Sequence, residues 1–188
     1  VEPVVQIVTR QPPPPPQAQI GADQTARHAE LLSALPEQLR QRALAALNTP
    51  QPRLALGLSL RGVAHAALDL SDGLAGDVAH LAKASGLAFE IDRTALIRLW
   101  LDAWPELNTL HASKEFADLL LEISCIGGDD FELCWTSTAD AMRTVPEHHG
   151  ITPIGRVKLG QGVWLHNEDG SSTALRSNSY DHFSQPNF

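Results

Sequence analysis

Short apolar segments alternate with segments of helical periodicity along most of this chain, and no other feature of the sequence restricts its fold as much. Val63 to Leu70 is apolar without a helical period and stops at a polar turn, so we expect a buried strand. The next segment has helical spacing up to Gly86, with Asp77, His80 and Lys83 off an apolar face of Leu74, Val78, Leu81 and Ala82. A strand followed by an amphipathic helix begins an α/β arrangement.

The rest of the chain continues this alternation. Alternating apolar residues predict four more strands, at 87–91, 131–135, 151–158 and 163–167. Helical spacing predicts two more helices, Lys114 to Ile123 and Thr138 to His149. Trp100 and Trp104 are expected to pack in the core. We therefore expect the α/β or α+β class in one folded domain, for which 188 residues with 43% hydrophobic content suffice.

The first 34 residues differ from the remainder. Pro12 to Pro16 is an unbroken proline run, which favours polyproline II and forbids a helix. It could be a ligand for a proline-binding module or a plain linker, and composition favours the linker. From Gln24 to Leu47 the spacing predicts one or two helices interrupted at Pro36. We divide the chain into a flexible proline-rich segment, 1–34, and a folded domain, 35–188.

Charge and cysteine content exclude several classes of protein. The chain carries 14 basic and 22 acidic residues, a formal net charge of -8, and no basic stripe, so nucleic acid is not an expected partner. No apolar run approaches the roughly 20 residues of a membrane span, and the first residues lack the order of a secretory signal. Cys125 and Cys134 are too few for a disulfide framework, so we expect a reducing cytoplasm.

The first candidate site is the run from Asp69 to Leu74, at the junction of a strand and a helix. Asp69 and Asp72 are separated by a tight turn, so both carboxylates can point into one small volume beyond the strand end, where open α/β sheets bind ligands. Such oxygen ligands suit Mg²⁺, and Ser71 can offer its hydroxyl and the helix-start amides to a phosphate. The alternative is structural, because Ser or Asp before a helix commonly caps it.

Three later positions are further candidates. Gly127-Gly128-Asp129-Asp130 could contact substrate or metal from a loop, or could be a glycine turn with solvated acids. Tyr180, the single tyrosine, lies in the run Ser179 to Phe183 and could pack its ring on the core. Cys134 alternates inward with core residues and has no evident His partner, so we expect a buried thiol rather than a nucleophile.

Three separated motifs therefore occur in one order along the chain: Asp69 to Leu74, Gly127 to Cys134 and Ser179 to Phe183. Pro50-Gln51-Pro52-Arg53 and the run His65 to Leu68 precede them. Over residues 35–183 the chain resembles the C-terminal half of the thiamine-monophosphate kinase family. The resemblance implies the C-terminal-domain fold of aminoimidazole ribonucleotide synthetase, a sheet packed with helices.

The resemblance also implies a reaction and roles for residues. The family transfers the ATP γ-phosphoryl group to thiamine monophosphate, giving thiamine diphosphate, with several Mg²⁺ ions. By position, Asp69 and Asp72 look like Mg²⁺ ligands and Ser71 looks like an ATP contact. Asp129 and Tyr180 fall on two substrate-binding positions. The family usually has Glu where this chain has Asp129, which is shorter by one methylene and could retract the carboxylate from the substrate.

One part of the family pattern is not matched. The family has an N-terminal half, rich in Gly and Asp, that binds nucleotide and further Mg²⁺ and forms a homodimer interface, and nothing in residues 1–34 resembles it. We expect either an enzyme that needs a separate N-terminal half or a non-catalytic remnant or thiamine phosphate-binding module. The expected partners are thiamine monophosphate and Mg-ATP, with no nucleic acid and no membrane.

Overall fold

The computed structural model describes residues 4–8, 33, 35–109, 113–128, 131–146 and 150–175, which contain a seven-stranded sheet. In chain order its strands are β1 Val4–Val8, β2 Ala66–Asp69, β3 Leu87–Asp92, β4 Leu133–Ser137, β5 Ile151–Leu159, β6 Gly162–His166 and β7 Ser172–Ala174. Their order across the sheet is β2-β4-β1-β5-β3-β6-β7, so β2 and β7 are the edges. Neighbouring strands are antiparallel except β3 and β6, which are parallel.

Helices accompany the sheet, which confirms the expected α/β or α+β class. They are α1 Glu37–Asn48, α2 Leu54–Ser59, α3 Leu74–Ser85, α4 Arg93–Ala103, a 3-10 helix Pro105–Thr109, α5 Lys114–Ile126 and α6 Ala139–Met142. Local signals set their ends: α1 begins after Pro36, the Asp92 carboxylate accepts the Ala95 N–H at 3.0 Å where α4 begins, and Gly86 ends α3 with φ 67°. Within the described ranges, no helix has the length and apolar character that crossing a bilayer requires.

The main core lies between the sheet and helices α3, α4 and α5. Val78, Ile91 and Ile154, from a helix and two strands, are fully buried in it. A second apolar cluster joins α4, the 3-10 helix and α5 around Trp100 and Trp104. Both indoles are buried, so the prediction that these tryptophans pack in the core is confirmed.

β2 is shorter and more exposed than the sequence predicts. The strand expected from Val63 to Leu70 forms at Ala66–Asp69 and pairs with β4 alone, so it is an edge strand. Ala67 and Asp69 are exposed, and the prediction of a buried strand is wrong. The rule for ligand positions in open parallel sheets does not apply here, because β2 and β4 are antiparallel.

The C-terminal elements agree only partly with prediction. The helix expected from Thr138 to His149 is restricted to the four residues of α6. Pro146 has no backbone N–H to donate to the Met142 carbonyl and disfavours the helical conformation of Val145, so the helix does not continue through this point. Residues 147–149 lie outside the described ranges. The strands expected on either side of Gly160 are confirmed as β5 and β6, and β3 lies between them in the sheet.

β1 is an element that the sequence did not predict. It lies between β4 and β5 and is antiparallel to both, with Ile7 opposite Cys134 on one side and Thr152 on the other. β1 falls within segment 1–34, whose run Pro12 to Pro16 lies outside the described residues. The centre of the sheet is therefore built from a short strand close to the first residue.

Candidate functional site

The loop between β2 and α3 carries the exposed residues Ser71 and Asp72, and the exposed Asp69 is the last residue of β2, just before that loop. Leu70 lies between them, is buried, and packs into the main core. Its backbone N–H donates to the Glu132 carbonyl at 2.9 Å, which fixes the loop to the segment that enters β4. An apolar anchor thus holds three polar side chains at the surface, at the strand-to-helix junction.

Asp77 organises this loop from the first turns of α3. Its Oδ2 accepts the backbone N–H of Ser71 at 2.9 Å and that of Asp72 at 3.1 Å. The residue is 6% exposed, so the expectation that it lies off the buried face is wrong. The spacing contained the signal, because Asp77 is three residues after Leu74 and four before Leu81, both on the apolar face.

The capping alternative for Ser71 and Asp72 is also wrong. The N-cap residue of α3 is Gly73, with φ 94°, and no side chain caps this helix. Burial raises the pKa of the Asp77 carboxyl, the two N–H donors oppose the rise, and the negative charges of Asp72 and Asp69 add to it. Negative charge is therefore concentrated at this loop.

Two glycines bring the loop into backbone contact with the Gly127-Gly128 segment. A Cβ atom on Gly128 would lie 2.3 Å from the Ser71 carbonyl oxygen, and one on Gly73 would lie 2.8 Å from the backbone carbon of Ile126. Only glycine allows chains to approach so closely. Two of the three sequence motifs therefore meet at one place. Asp129, Asp130 and Tyr180 lie outside the described residues.

An ion pair that the sequence did not predict links two further segments of the site. Arg53 donates from Nε to Glu132 Oε2 at 2.8 Å and from a terminal nitrogen to Oε1 at 2.6 Å. The Glu132 side chain is only 4% exposed. Burial raises the pKa of Glu132 to about 7, and the Arg53 guanidinium opposes the rise. A separation of 79 residues leaves no local pattern from which this pair could be inferred.

The cysteines contribute no nucleophile to this site. Cys134 is fully buried in the main core and Cys125 is buried beside it. Burial raises the pKa of each thiol to about 12, so both stay protonated near neutral pH. The prediction that Cys134 is a buried thiol is confirmed.

The two carboxylates at the β2–α3 loop suit an ion such as Mg²⁺, which takes its other ligands from phosphates and water, rather than a metal whose ligands all come from the protein. No group of three or more His, Cys, Asp or Glu side chains is placed to hold a metal ion in the part of the chain that the structure describes. Asp69, at the end of β2, and Asp72, whose N–H donates to the Asp77 carboxylate, are both exposed carboxylates. Mg²⁺ is commonly bound by one or two carboxylates together with substrate phosphates and water, so these residues fit it.

Comparison with known proteins gives one clear group of relatives by sequence, although no family model matches the chain. It is 33% identical over 142 residues to thiamine-monophosphate kinase of Escherichia coli K12, and the match covers 73% of this chain and 41% of that protein. The chain thus spans about two fifths of the length of this relative. That share agrees with the half-length resemblance that the motifs predict.

Solved structures give the same result for the fold. Thiamine-monophosphate kinase from Stenotrophomonas maltophilia superposes with a TM-score of 0.62 at 28% identity, covering 92% of this chain and 52% of that one. AaThiL, described as complexed with AMPPCP and TMP, superposes with a TM-score of 0.63 at 22% identity, and the match covers 97% of this chain and 52% of the AaThiL chain. At this identity the likeness shows the fold alone. By its sequence and its fold, the chain resembles about half of a thiamine-monophosphate kinase.

Proposed function

We propose that this chain takes part in the ATP-dependent phosphorylation of thiamine monophosphate to thiamine diphosphate. Asp69 and Asp72 hold Mg²⁺, Ser71 contacts ATP, and Asp129 and Tyr180 bind the thiamine phosphate. The names of its relatives and the nucleotide and TMP reported for AaThiL support this assignment. The protein acts in the cytoplasm, consistent with two cysteines that are free thiols.

One observation carries the proposal. The backbone of Gly128 lies against the Ser71 carbonyl, with room for no side chain between them. The loop proposed for metal and ATP therefore adjoins the segment that leads into Asp129, proposed for the substrate. A donor and an acceptor of a phosphoryl group must lie side by side for in-line transfer.

The reaction needs positioning and charge neutralisation from the protein. An oxygen of the thiamine monophosphate phosphate forms the new bond to the γ-phosphorus, and the bond from that phosphorus to the β-γ bridging oxygen breaks, leaving ADP. A phosphate monoester has a second pKa of about 6, so the acceptor oxygen already carries charge at neutral pH and no general base is required. No cysteine nucleophile is required either, in agreement with the buried thiols.

Mg²⁺ would be held by Asp69 and Asp72. When bound, it supplies neutralisation of the phosphate charge that accumulates in phosphoryl transfer. The chain's own contribution is to fix the two carboxylates at the β2–α3 loop. It also keeps the Gly127-Gly128 segment, which leads into Asp129, next to that loop. An acidic loop without a basic stripe requires a cation before it can accept a polyphosphate.

The length of the chain defines the second candidate. The chain spans 41% of the length of its E. coli relative. In this proposal catalysis also uses the family's N-terminal half, which the resemblance implies binds nucleotide and forms the homodimer interface. A non-catalytic module that retains thiamine phosphate binding is the alternative that this coverage favours.

Thiamine diphosphate formation by the purified chain, given thiamine monophosphate and Mg-ATP, tests the proposal with and without an added N-terminal half of a family member. We expect turnover only with the added half, and its loss in Asp69→Asn. The matched control is Asp102→Asn, an exposed carboxylate on α4, which should leave turnover unchanged. Thiamine monophosphate binding without turnover under any condition would support the binding module instead.

A further inference from the structure

Asp77 is a buried carboxylate whose hydrogen-bond donors are backbone amides rather than a cationic side chain. Among the described residues no ion pair involves it, and its Oδ2 accepts both the Ser71 and the Asp72 N–H. Burying a carboxylate is costly unless hydrogen bonds to the charged form compensate. The residue is therefore kept in place by the loop, and the loop by the residue.

The loop has a conformation that requires such support. Gly73 takes a positive φ of 94°, and the chain turns from an edge strand into α3 at this residue. Gly128 closes the opposite side at backbone distance. Asp72 is one of the two residues whose backbone N–H donates to Asp77. Asp69 lies two residues before the other, Ser71.

We propose that Asp77 is a positioning residue for the metal, in that its carboxylate fixes the loop so that Asp69 and Asp72 converge on one cation. This inference rests on the proposed function. Asp77 does not itself ligate the ion, and its charge is not the property that matters. What matters is an oxygen acceptor at the position of Oδ2.

Three substitutions separate these properties. Asp77→Asn keeps an oxygen acceptor in place and removes the charge, whereas Asp77→Glu keeps the charge and displaces the oxygens by one methylene. Asp77→Ala removes both. The matched control is Asp118→Asn on α5, away from the β2–α3 loop. It removes a carboxylate that forms ion pairs with Arg93 and Lys114.

The first measurement is Mn²⁺ binding to the full chain by electron paramagnetic resonance, with thermal melting as the check on folding. Loss of a group that supports a metal ligand weakens metal affinity about 10- to 100-fold, and we expect this for Asp77→Ala and Asp77→Glu. Asp77→Asn and Asp118→Asn should bind like the native chain. If Asp77→Asn binds as weakly as Asp77→Ala, or Asp77→Glu binds like the native chain, the inference is overturned. The Asn and Glu variants decide even where Ala does not fold.

The second measurement is hydrogen exchange of the Ser71 and Asp72 amides without metal. These amides should exchange faster in Asp77→Ala than in the native chain, and Asp77→Asn should retain protection. Unchanged exchange in a folded Asp77→Ala would overturn the inference. A native chain that binds no Mn²⁺, or an Asp69→Asn variant that binds it normally, would instead count against the proposed function, and exchange would still decide whether Asp77 holds the loop.

Discussion

Glu132 is held by Arg53 where water has little access. The two nitrogen-to-oxygen distances, 2.8 and 2.6 Å, describe a bidentate pair with a side chain that is 4% exposed. In such a place neither partner can recover its hydration if the other is removed. The pair joins the residue before α2 to the residue before β4 and so fixes the edge of the candidate site.

Replacing Arg53 with methionine should therefore be strongly destabilising. We expect Arg53→Met to lose about 3 to 5 kcal/mol of unfolding free energy, because an uncompensated carboxyl remains buried. The control is Lys114→Met, whose pair with Asp118 is largely exposed and should be worth less than about 1 kcal/mol. Urea denaturation followed by tryptophan fluorescence measures both. A double variant, Arg53→Met with Glu132→Gln, should recover much of the loss.

The loss in Arg53→Met should also depend on pH. Burial raises the pKa of Glu132 from 4.5 to about 7 in the native chain, and removal of Arg53 takes away the interaction that opposes the rise. A carboxyl whose pKa is higher in the folded than in the unfolded chain reduces stability as pH rises from the unfolded to the folded value, because over that range the unfolded chain has released its proton and the folded chain still holds it. The loss should be larger at about pH 8 than at about pH 5. Equal losses at both would contradict this.

For single residues, the sequence predicted where a residue lies along a strand, loop or helix better than which residues it contacts. Asp69, Ser71 and Asp72 lie at a strand-to-helix junction as predicted, because local spacing determines a turn. Asp77 was misplaced because a polar residue at the margin of an apolar stripe was assigned to solvent. The ion pair of Arg53 with Glu132 was missed because the two residues are distant in sequence. The substrate contacts of Asp129 and Tyr180 stay predictions.

At the scale of elements, the β2–α3 loop and the Gly127-Gly128 segment pack backbone against backbone. Replacing Gly128 with alanine would place Cβ 2.3 Å from the Ser71 carbonyl oxygen. Because backbone cannot yield as a flexible side chain does, we expect Gly128→Ala to lose about 1 to 3 kcal/mol of unfolding free energy, measured by urea denaturation.

The matched control for that substitution is a glycine with space around it. A Cβ on Gly57, within α2, would meet Leu133 Cδ1 at 3.8 Å, an ordinary contact. Gly57→Ala should be neutral or stabilise by up to about 1 kcal/mol, because alanine is the better helix former. Similar losses in both variants would mean that close approach of the two loops is not what Gly128 provides.

Elements were predicted well where a local signal bounds them. Gly86 ends α3 as the sequence indicates, and the Thr138 hydroxyl caps α6 where the predicted helix begins. The long helix expected after Thr138 failed because Pro146 outweighs its apolar spacing. Val63 to Leu70 was misjudged because an apolar run does not show how many neighbours a strand has, and β2 has only β4.

At the scale of the whole molecule, β1 holds the two parts of the sheet together. On one side of it lie β2 and β4, and on the other lie β5, β3, β6 and β7. This order could not be read from the sequence, because strand pairing depends on contacts between distant segments. A strand signal of five residues beside a proline run gives no indication of a central position.

A proline in β1 tests this role. Ile7→Pro removes a backbone N–H between two partner strands and should cost about 3 kcal/mol or more of unfolding free energy. The control is Ala174→Pro in edge strand β7, where Leu175 N–H donates to the Val163 carbonyl at 2.9 Å. By antiparallel alternation the Ala174 N–H points away from β6, so we expect a small effect. Equal losses by urea denaturation would contradict a central role for β1.

The position of β1 also sets the order in which this protein can fold as it leaves the ribosome. β1 emerges before both strands that flank it, because β4 begins only at Leu133 and β5 at Ile151. At ordinary rates of translation the interval between them is on the order of ten seconds. During that time an unpaired strand and a divided sheet are exposed to other chains. The sheet therefore cannot close around β1 until β5 has been synthesised, and a chaperone that shields β1 during that interval should improve the yield more than one that acts only later.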